Sequence, residues 1–138
     1  PDGLDRVLNT AKKIATQQHG RLLTCFGCGG DRDRLKRPLM AKAASSYSDY
    51  IVITQDNPRT ENPDQIIHDI LAGLDHQDMI VKHDRHAAIQ HILTIAQPND
   101  CVVIAGKGHE NMQILHDKTI EFDDKLVSEN ILKTLGYV

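Results

Sequence analysis

A short run of side chains, Asp56, Asn57, Pro58 and Arg59, follows an apolar segment and places an acid, an amide and a guanidinium in a row. Carboxylate and amide oxygens accept hydrogen bonds from an ammonium group, and a guanidinium can donate two parallel hydrogen bonds to a carboxylate. The run therefore predicts exposed side chains that bind a zwitterionic ligand. The same tetrapeptide is also typical of a plain turn, because Asx-Pro pairs start turns for local reasons.

Two further polar loops could complete such a site. Residues 27–33 are rich in glycine and include Arg32, and residues 106–110 begin with Gly106 and end with Glu110. Arg32 would add a cation, Glu110 an anion, and Gly106 would let a ligand approach bare backbone. In the alternative interpretation these charges pair with one another as surface salt bridges, each contributing about 0–1 kcal/mol. We call residues 27–33, 56–59 and 106–110 the first, second and third loops.

The elements that must position these loops alternate between helix and strand. The spacing of apolar residues predicts helices from 2 to about 19, from 38, from 63, from 85 and from 125 to 135, strands at 21–26, 50–54, 79–82 and 101–105, and a hairpin around 117–118. This order predicts an α/β fold with a Rossmann-like, mostly parallel sheet, helices on both faces and an edge hairpin, in one domain over residues 1–138. Ligands bind such sheets at the carboxyl ends of the strands, where all three loops lie.

The same spacing predicts which side chains face the core. We expect the inward residues to be Leu4, Val7, Leu8, Ala11, Ile14 and Ala15 in the first helix, Leu39, Met40, Ala43 and Ala44 in the second, and Ile66, Ile67, Ile70 and Leu71 in the third. Pro38 is expected to open the second helix, and Asn62 and Asp84 are expected to cap the next two. Residues 101–105 give the clearest pattern of a buried strand.

Composition excludes several classes of function. The 138 residues are 40% apolar, enough for one domain with a core. A formal charge of -3 and few aromatic residues argue against nucleic-acid binding, and no apolar segment is long enough to span a membrane. Three cysteines fit a reducing cytosol better than a disulfide framework. The chain opens on Pro1 without an initiator Met, which suggests a piece of a longer polypeptide.

Two nucleotide-binding motifs are incomplete in this chain. Residues 27–30 begin like a dinucleotide fingerprint, but Arg32 stands where its third glycine is required. Gly106 and Lys107 do not form a phosphate loop, because Gly108 takes the place of the Ser or Thr that holds magnesium. Nucleotide hydrolysis would therefore need a phosphate loop from elsewhere.

Cysteine and histidine give weaker indications. Cys25 and Cys28 form a C-x-x-C, but Cys25 lies within a predicted strand and no second pair supplies zinc ligands, so a structural role is expected. His83 and His86 are expected to be solvated. His109 lies in the third loop, where it could belong to the site or bond the loop backbone.

Three motifs together resemble one family. They are Phe26-Gly27-Cys28-Gly29-Gly30-Asp31-Arg32-Asp33 with Lys36-Arg37-Pro38, then Asp56-Asn57-Pro58-Arg59-Thr60, then Ala105-Gly106-Lys107-Gly108-His109-Glu110. The chain resembles, over essentially its whole length, the C-terminal domain of the Mur ligases, in the form found in the MurE synthetases of bacterial cell-wall synthesis. The motifs occur in the order and spacing of that family.

The resemblance implies ATP-dependent amide ligation, in which a D-glutamate carboxyl is phosphorylated and then attacked by the amine of a diamino acid. Carried over by position, the residues that would bind the incoming meso-diaminopimelate are Arg32, Asp56, Asn57, Arg59, Gly106 and Glu110, with Asp33, Lys107 and His109 as possible accessory residues. Arg59 would clamp the distal carboxylate that diaminopimelate has and lysine lacks. No catalytic residue and no metal ligand is expected within the chain.

The resemblance also implies what the chain works with. ATP and Mg²⁺ would serve the full-length enzyme, held mainly by a central domain that these residues do not include. Further partners would be UDP-MurNAc-dipeptide and the N-terminal and central domains of the same chain, in the cytoplasm, without nucleic acid or membrane. The isolated chain is expected to fold, to bind diaminopimelate weakly and to form no amide bond.

Three alternatives remain open from the sequence. The first is a related ligase domain of the same superfamily, of the lysine-adding or polyglutamate type. The second is a stand-alone module that binds zwitterionic metabolites. The third is a thiol redox or metal protein that uses Cys25 and Cys28.

Overall fold

The predicted alternation of helices and strands is confirmed. The computed structural model describes residues 2–30, 34–74, 78–105, 112–114, 119–121 and 124–136. The elements in these ranges are α1 (Asp2–Gln17), β1 (Leu22–Phe26), α2 (Lys36–Tyr47), β2 (Tyr50–Ile53), α3 (Pro63–Leu71), β3 (Met79–Val81), α4 (Arg85–Ile95), β4 (Cys101–Ala105), β5 (Met112–Ile114), β6 (Thr119–Glu121) and α5 (Asp124–Leu135). Within them, no helix combines the length and the hydrophobicity needed to cross a bilayer.

Four strands form a parallel sheet in the order β3-β2-β1-β4. The chain adds β2 and β3 on one side of β1 and then crosses over to place β4 on its other side, so the strand order reverses at β1. In register, Phe26 lies opposite both Ile53 and Ala105, which brings the ends of β1, β2 and β4 to one level. The predicted hairpin is present as β5 and β6, which pair antiparallel with each other. Among the described residues it is a separate two-stranded sheet, whereas the sequence predicted it at the edge of the parallel sheet.

Helices cover both faces of the parallel sheet, as predicted. Successive strand side chains point to opposite faces, so Leu22 and Phe26 pack under α1, α2 and α3, while Leu23 and Cys25 pack under α4 and α5. All five residues of β1 are buried, as expected for a central strand between two helical layers. Each fully buried Leu or Phe side chain stabilises the fold by about 1.5–3 kcal/mol.

Two predicted helix caps are confirmed. The side chain of Asn62 accepts a hydrogen bond of 2.8 Å from the backbone N–H of Asp64, and Asp84 accepts one of 3.1 Å from that of Ala87. The second helix differs from its prediction, because it starts two residues before Pro38 without a side-chain cap. Its first turn therefore begins at Lys36.

Some predicted inward positions are wrong. Val7 is 51% exposed, Ile14 43%, Leu39 55% and Leu71 37%. The side chains that are buried in α1 follow a narrower stripe, Leu4, Leu8, Ala11 and Ala15. A stripe of this width is set by contact with the neighbouring layer, so apolar residues at its border stay in solvent.

The prediction for β4 also needs correction. All five of its residues are only partly buried, whereas β1 is buried throughout. Among the described strands, β4 lies at the edge of the sheet and has β1 as its one neighbour. An apolar run of this length does not distinguish a strand at the edge of a sheet from one at its centre.

Candidate functional site

The three loops leave the sheet from the same place. Phe26, Ile53 and Ala105, the last residues of β1, β2 and β4, lie side by side in register. We call the end of the sheet where the strands terminate the carboxyl edge, and the opposite end the amino edge. The strand order reverses at β1, and in sheets of this kind that position is the usual ligand crevice.

Only part of the predicted site falls within the described residues. Asp56, Asn57 and Arg59 of the second loop are described. The predicted site residues that lie outside the described ranges are Arg32, Asp33, Gly106, Lys107, His109 and Glu110. The first and third loops are therefore represented by residues 27–30 and by the strand end at Ala105.

The first and second loops are packed directly against each other. The backbone N–H of Gly30 donates a hydrogen bond of 2.6 Å to the carbonyl oxygen of Asn57. A Cβ on Gly30 would lie 1.8 Å from the carbonyl oxygen of Pro58, and one on Gly27 would lie 2.4 Å from that of Thr54. Both glycines are required by this close backbone approach, which is a different role from phosphate binding.

Asp56 and Asn57 are not exposed in the way that the sequence suggested. Their exposed fractions are 7% and 1%, so the structure corrects the prediction of three exposed functional side chains in a row. Asp56 lines a narrow crevice whose walls include Cys28, Pro63 and Ile66. The tetrapeptide therefore turns its acid and amide toward the protein and leaves Arg59 at the surface.

Arg59 connects the two loops. Its Nη1 donates to the carbonyl oxygens of Gly30, at 3.3 Å, and Asn57, at 3.2 Å. Its backbone adopts the left-handed region with φ of 54°, which costs a residue other than glycine about 1–2 kcal/mol. Within the part of the chain that the structure describes, both of these hydrogen bonds use Nη1.

A buried arginine that was not predicted as a site residue supports the first loop. Arg37 of α2 is 1% exposed. Its Nη2 donates to Glu61 at 2.8 Å and to the carbonyl oxygen of Gly29 at 3.2 Å. Its Nη1 donates to Asp69 at 2.9 Å. The hydrogen bond to Glu61 outweighs the opposing effect of burial and raises the pKa of Arg37. Arg37 thus holds the glycine backbone against the start of α3. It belongs to the sequence motif, but its role could be read only from the contacts.

A second buried arginine lies at the ends of β2 and β4. Arg85, the first residue of α4, is 1% exposed and donates to both carboxylate oxygens of Asp124, at 2.7 and 2.6 Å. It also donates to the carbonyl oxygens of Gln55, at 2.8 Å, and Ala105, at 3.2 Å. Arg85 is not among the site residues that the sequence predicts. One signal was available, because a cation in the first turn of a helix opposes the helix dipole.

The two cysteines of the C-x-x-C lie in different environments. Cys25 packs between the sheet and α4, whereas Cys28 packs on the opposite face, with its Sγ 3.5 Å from the sulfur of Met40. Burial raises the pKa of each thiol to about 12, so both are protonated at neutral pH. These surroundings favour the structural interpretation over a redox pair.

The described histidines and acids supply little other chemistry at this edge. His83 and His86 are exposed, as predicted, and Nδ1 of His83 lies 3.7 Å from Asp64. Among the described residues, no three His, Cys, Asp or Glu side chains are grouped closely enough to hold a metal ion. The described side chains at this edge mainly bond to the backbone of the loops and to one another.

Comparison with known proteins adds to this geometry. A family model described as "Mur ligase, glutamate ligase domain" matches residues 1–108. The UDP-N-acetylmuramoyl-L-alanyl-D-glutamate--2,6-diaminopimelate ligase of Clostridium botulinum is 51% identical over 135 residues, which are 98% of this chain and 27% of that protein. The ligase of the same name from Prochlorococcus marinus subsp. pastoris is 50% identical over 134 residues, or 96% of this chain and 26% of that protein.

A solved structure of a protein named UDP-N-acetylmuramoyl-L-alanyl-D-glutamate--2,6-diaminopimelate ligase is also similar. It matches with a TM-score of 0.89 at 42% identity, covering 100% of this chain and 28% of that one. The chain thus spans about a quarter of the length of the curated relatives that it matches.

Proposed function

Because the chain belongs to the family of Mur ligase glutamate ligase domains, we propose that it is the C-terminal, amino-acid-binding domain of an ATP-dependent ligase. The proposed reaction adds meso-diaminopimelate to UDP-MurNAc-L-Ala-D-Glu in the cytoplasm, as a step of peptidoglycan synthesis. Relatives that are about half identical to the chain carry the name of that ligase, which supports the proposal. The chain would act together with the other domains of a longer polypeptide.

The observation that carries this proposal is the arrangement of Arg59. Its guanidinium is partly exposed at the carboxyl edge, and its Nη1 is fixed by the carbonyl oxygens of Gly30 and Asn57. Fixing one nitrogen orients the whole planar group, so Nε and Nη2 form a fork that a ligand carboxylate can complete. The left-handed backbone of Arg59 is consistent with a residue held for binding, since such strain is concentrated at functional sites.

The rest of the second loop has a supporting part in the proposal. Asp56 lines the crevice and would contact the ligand there. Asn57 would be a further ligand contact, and its carbonyl oxygen holds the second loop against Gly30. The first and third loops would complete the pocket. Their proposed contacts are Arg32, Gly106 and Glu110, with Asp33, Lys107 and His109 as accessory residues.

This arrangement accounts for a choice between amino acids. Diaminopimelate has a second carboxylate, whereas lysine ends in an ammonium group that cannot accept from Arg59. A hydrogen bond to a charged group contributes about 1.5–3 kcal/mol. We therefore expect a preference for diaminopimelate over lysine of roughly ten- to a hundredfold from Arg59 alone.

ATP and Mg²⁺ belong to the proposal only through the longer enzyme. The described residues offer no group of three potential metal ligands, and the phosphate-loop pattern in the third loop is incomplete. The described residues, together with the sequence of the third loop, therefore do not make up a complete nucleotide and metal site. We propose that other domains hold the nucleotide, while this chain selects and orients the amino acid.

Replacement of Arg59 by alanine in the longer ligase tests the proposal. Arg59→Ala removes the fork but none of the residues under it, so we expect the KM for diaminopimelate to rise about ten- to a hundredfold. The KM for ATP should change by less than about twofold. Steady-state kinetics with each substrate varied in turn would measure both values.

Arg34 provides the matched control. It is an exposed arginine at the start of α2, and its guanidinium pairs with Asp69 at 3.1 Å. Arg34→Ala removes the same charge near the first loop and should leave the KM for diaminopimelate unchanged. Equal increases in the KM for ATP and for diaminopimelate in Arg59→Ala would contradict the clamp, as would equal turnover of lysine by the parental enzyme.

A further inference from the structure

We propose that Arg85 is a positioning residue for the amino-acid site. Arg85 joins the ends of β2 and β4 to the start of α5, and in this way it sets the spacing between the second and third loops. The inference rests on the proposed function and extends it to a residue outside the loops. Arg85 has no direct part in binding, since its whole side chain is buried.

The contacts of Arg85 use all three nitrogens of the guanidinium. Nη1 donates to the carbonyl oxygen of Gln55, Nη2 to the carbonyl oxygen of Ala105 and to one carboxylate oxygen of Asp124, and Nε to the second oxygen of Asp124. Gln55 directly precedes the second loop, and Ala105 directly precedes the third. One rigid planar group therefore fixes the distance between the two chain segments from which the proposed ligand contacts extend.

β2 and β4 need such a link because they are not neighbours in the sheet. β1 lies between them, so no ladder hydrogen bonds connect their ends. The first loop leaves β1 in the same gap and packs on the second loop through Gly30 and Asn57. Arg85 bridges the gap from α4, whereas Arg37 joins the first loop to Glu61 and to Asp69 of α3.

The electrostatic setting favours positioning over stabilisation. Burying an ion pair costs several kcal/mol of desolvation, and an apolar pair of similar volume often stabilises a fold as well. Desolvation opposes the charge of Arg85, but the hydrogen bonds and charge of Asp124 outweigh it and hold the pKa of Arg85 above its ordinary value. Asp56 of the second loop adds to this attraction. The charged form, with its fixed fork, is thus the one that the site contains.

Asp124 gives the proposal a further consequence. It lies beyond residues 1–108, the range matched by the family model, and begins α5. Through Asp124, the position of the last helix is transmitted to Arg85 and from there to both loops. The C-terminal helix would therefore contribute to amino-acid binding without touching the ligand.

Arg85→Lys in the longer ligase tests the role of the fork while keeping the charge. A lysine has one nitrogen and cannot reach both carbonyl oxygens and both oxygens of Asp124. We expect the KM for diaminopimelate to rise about tenfold or more, because displacement of binding groups by about 1 Å is enough for such a loss. The kcat at saturating amino acid and the KM for ATP should change by less than about threefold.

Two further variants keep the result interpretable. Asp124→Asn should raise the same KM in the same direction, and it carries the test if Arg85→Lys does not fold. Arg21→Lys is the matched control, since Arg21 also forks onto an aspartate and bonds a backbone carbonyl, but at the amino edge. It should leave the KM for diaminopimelate unchanged even where it lowers the melting temperature.

The possible outcomes separate the two proposals. An unchanged KM in folded Arg85→Lys or Asp124→Asn, or failure of both variants to fold, would overturn the positioning role. Equal losses in Arg85→Lys and Arg21→Lys would overturn it too. If the parental ligase uses lysine, the proposed substrate is wrong, and a raised KM for lysine in Arg85→Lys still supports positioning.

Discussion

Two arginine–aspartate pairs hold the two edges of the sheet, and they differ in their surroundings. At the amino edge Arg21 pairs with Asp100 at 2.7 Å, with side-chain exposures of 41% and 3%. At the carboxyl edge Arg85 pairs with Asp124 at 2.6 Å, with exposures of 0% and 13%. Each arginine also donates to backbone carbonyl oxygens. The arginine–aspartate pair is thus partly exposed at the amino edge and buried at the carboxyl edge.

The edges also share a glycine packed against a neighbouring backbone. A Cβ on Gly20 would lie 1.8 Å from the carbonyl oxygen of Asn99 at the amino edge. A Cβ on Gly30 would lie 1.8 Å from the carbonyl oxygen of Pro58 at the carboxyl edge. Close approach of two chain segments therefore occurs at both edges of the sheet and does not by itself indicate a binding site.

The difference in burial is what separates the two edges. A partly exposed pair such as Arg21–Asp100 contributes about 0–1 kcal/mol and needs little from its surroundings. The pair at the carboxyl edge has a large desolvation cost, which only several well-placed partners can offset. A fold that places its buried guanidinium groups at the edge with the loops gives those loops fixed positions, and this is the property that a binding site requires.

The largest effect that would test this contrast is expected from loss of the buried charge. Arg85→Met should lower the free energy of unfolding by about 3–5 kcal/mol, because Asp124 and two carbonyl oxygens lose their buried partner. Arg21→Met should cost roughly 1 kcal/mol, since Asp100 keeps hydrogen bonds from the backbone N–H groups of Arg21 and Gln97. Urea unfolding of each variant measures both values.

A double change separates the charge from the packing. Arg85→Met combined with Asp124→Leu should recover much of the lost stability, because the second change removes the unpaired carboxylate. The contrast between the edges would fail if Arg85→Met cost no more than Arg21→Met.

Alanine at the two packed glycines should have an intermediate effect. Gly20→Ala and Gly30→Ala each force two backbone segments apart, at a cost of about 1–3 kcal/mol in the free energy of unfolding. Only Gly30→Ala should also raise the KM for diaminopimelate in the longer ligase, because only that contact joins two loops of the site. Gly3 is the control, since a Cβ there meets nothing within 4 Å. Similar KM values for Gly20→Ala and Gly30→Ala would show that the loop contact does not matter for binding.

The smallest effect is expected at the amino edge, and it depends on pH. Burial alone would raise the pKa of Asp100, but hydrogen bonds from Arg21 and Gln97 outweigh it and hold that pKa below its ordinary value. The folded state therefore binds fewer protons than the unfolded state, and the stabilisation is present above the ordinary value of 3.8 and lost as pH falls through the lowered pKa.

Asp100→Asn removes this pH dependence. The variant should be less stable than the parent by roughly 1 kcal/mol at neutral pH, and the difference should vanish in acid. Unfolding curves recorded from neutral to acid pH would follow the change. A difference that is constant over the whole range would mean that the carboxylate charge contributes nothing.

The helices and strands could be predicted from local patterns, but how deeply their side chains are buried could not. Apolar spacing and capping residues are local properties, so the order of helices and strands and the caps at Asn62 and Asp84 are confirmed. Exposure depends on which elements become neighbours. For that reason the predictions that Leu39 and Val7 lie in the core and that β4 is a buried strand are wrong.

The candidate site likewise contains residues that could be predicted from the sequence and residues that could not. The second loop was recognisable because its residue types are adjacent in the sequence. Arg37 and Arg85 were missed because their partners are far away in the chain: Arg37 bonds Glu61 and Asp69, and Arg85 bonds residues 30, 20 and 39 positions distant. A basic residue on a helix usually lies in solvent, and only the contacts show that these two do not.

The α/β alternation, the three polar loops after strands and the motifs shared with the Mur ligases can all be recognised without a structure, because each depends on residues that are close together in the chain. Three features appear only in the folded chain: β1 lies between β2 and β4, Asp56 and Asn57 are buried while Arg59 is partly exposed, and two buried guanidinium groups donate to backbone carbonyl oxygens at the strand ends. These features depend on long-range packing and desolvation, which act only when distant segments meet.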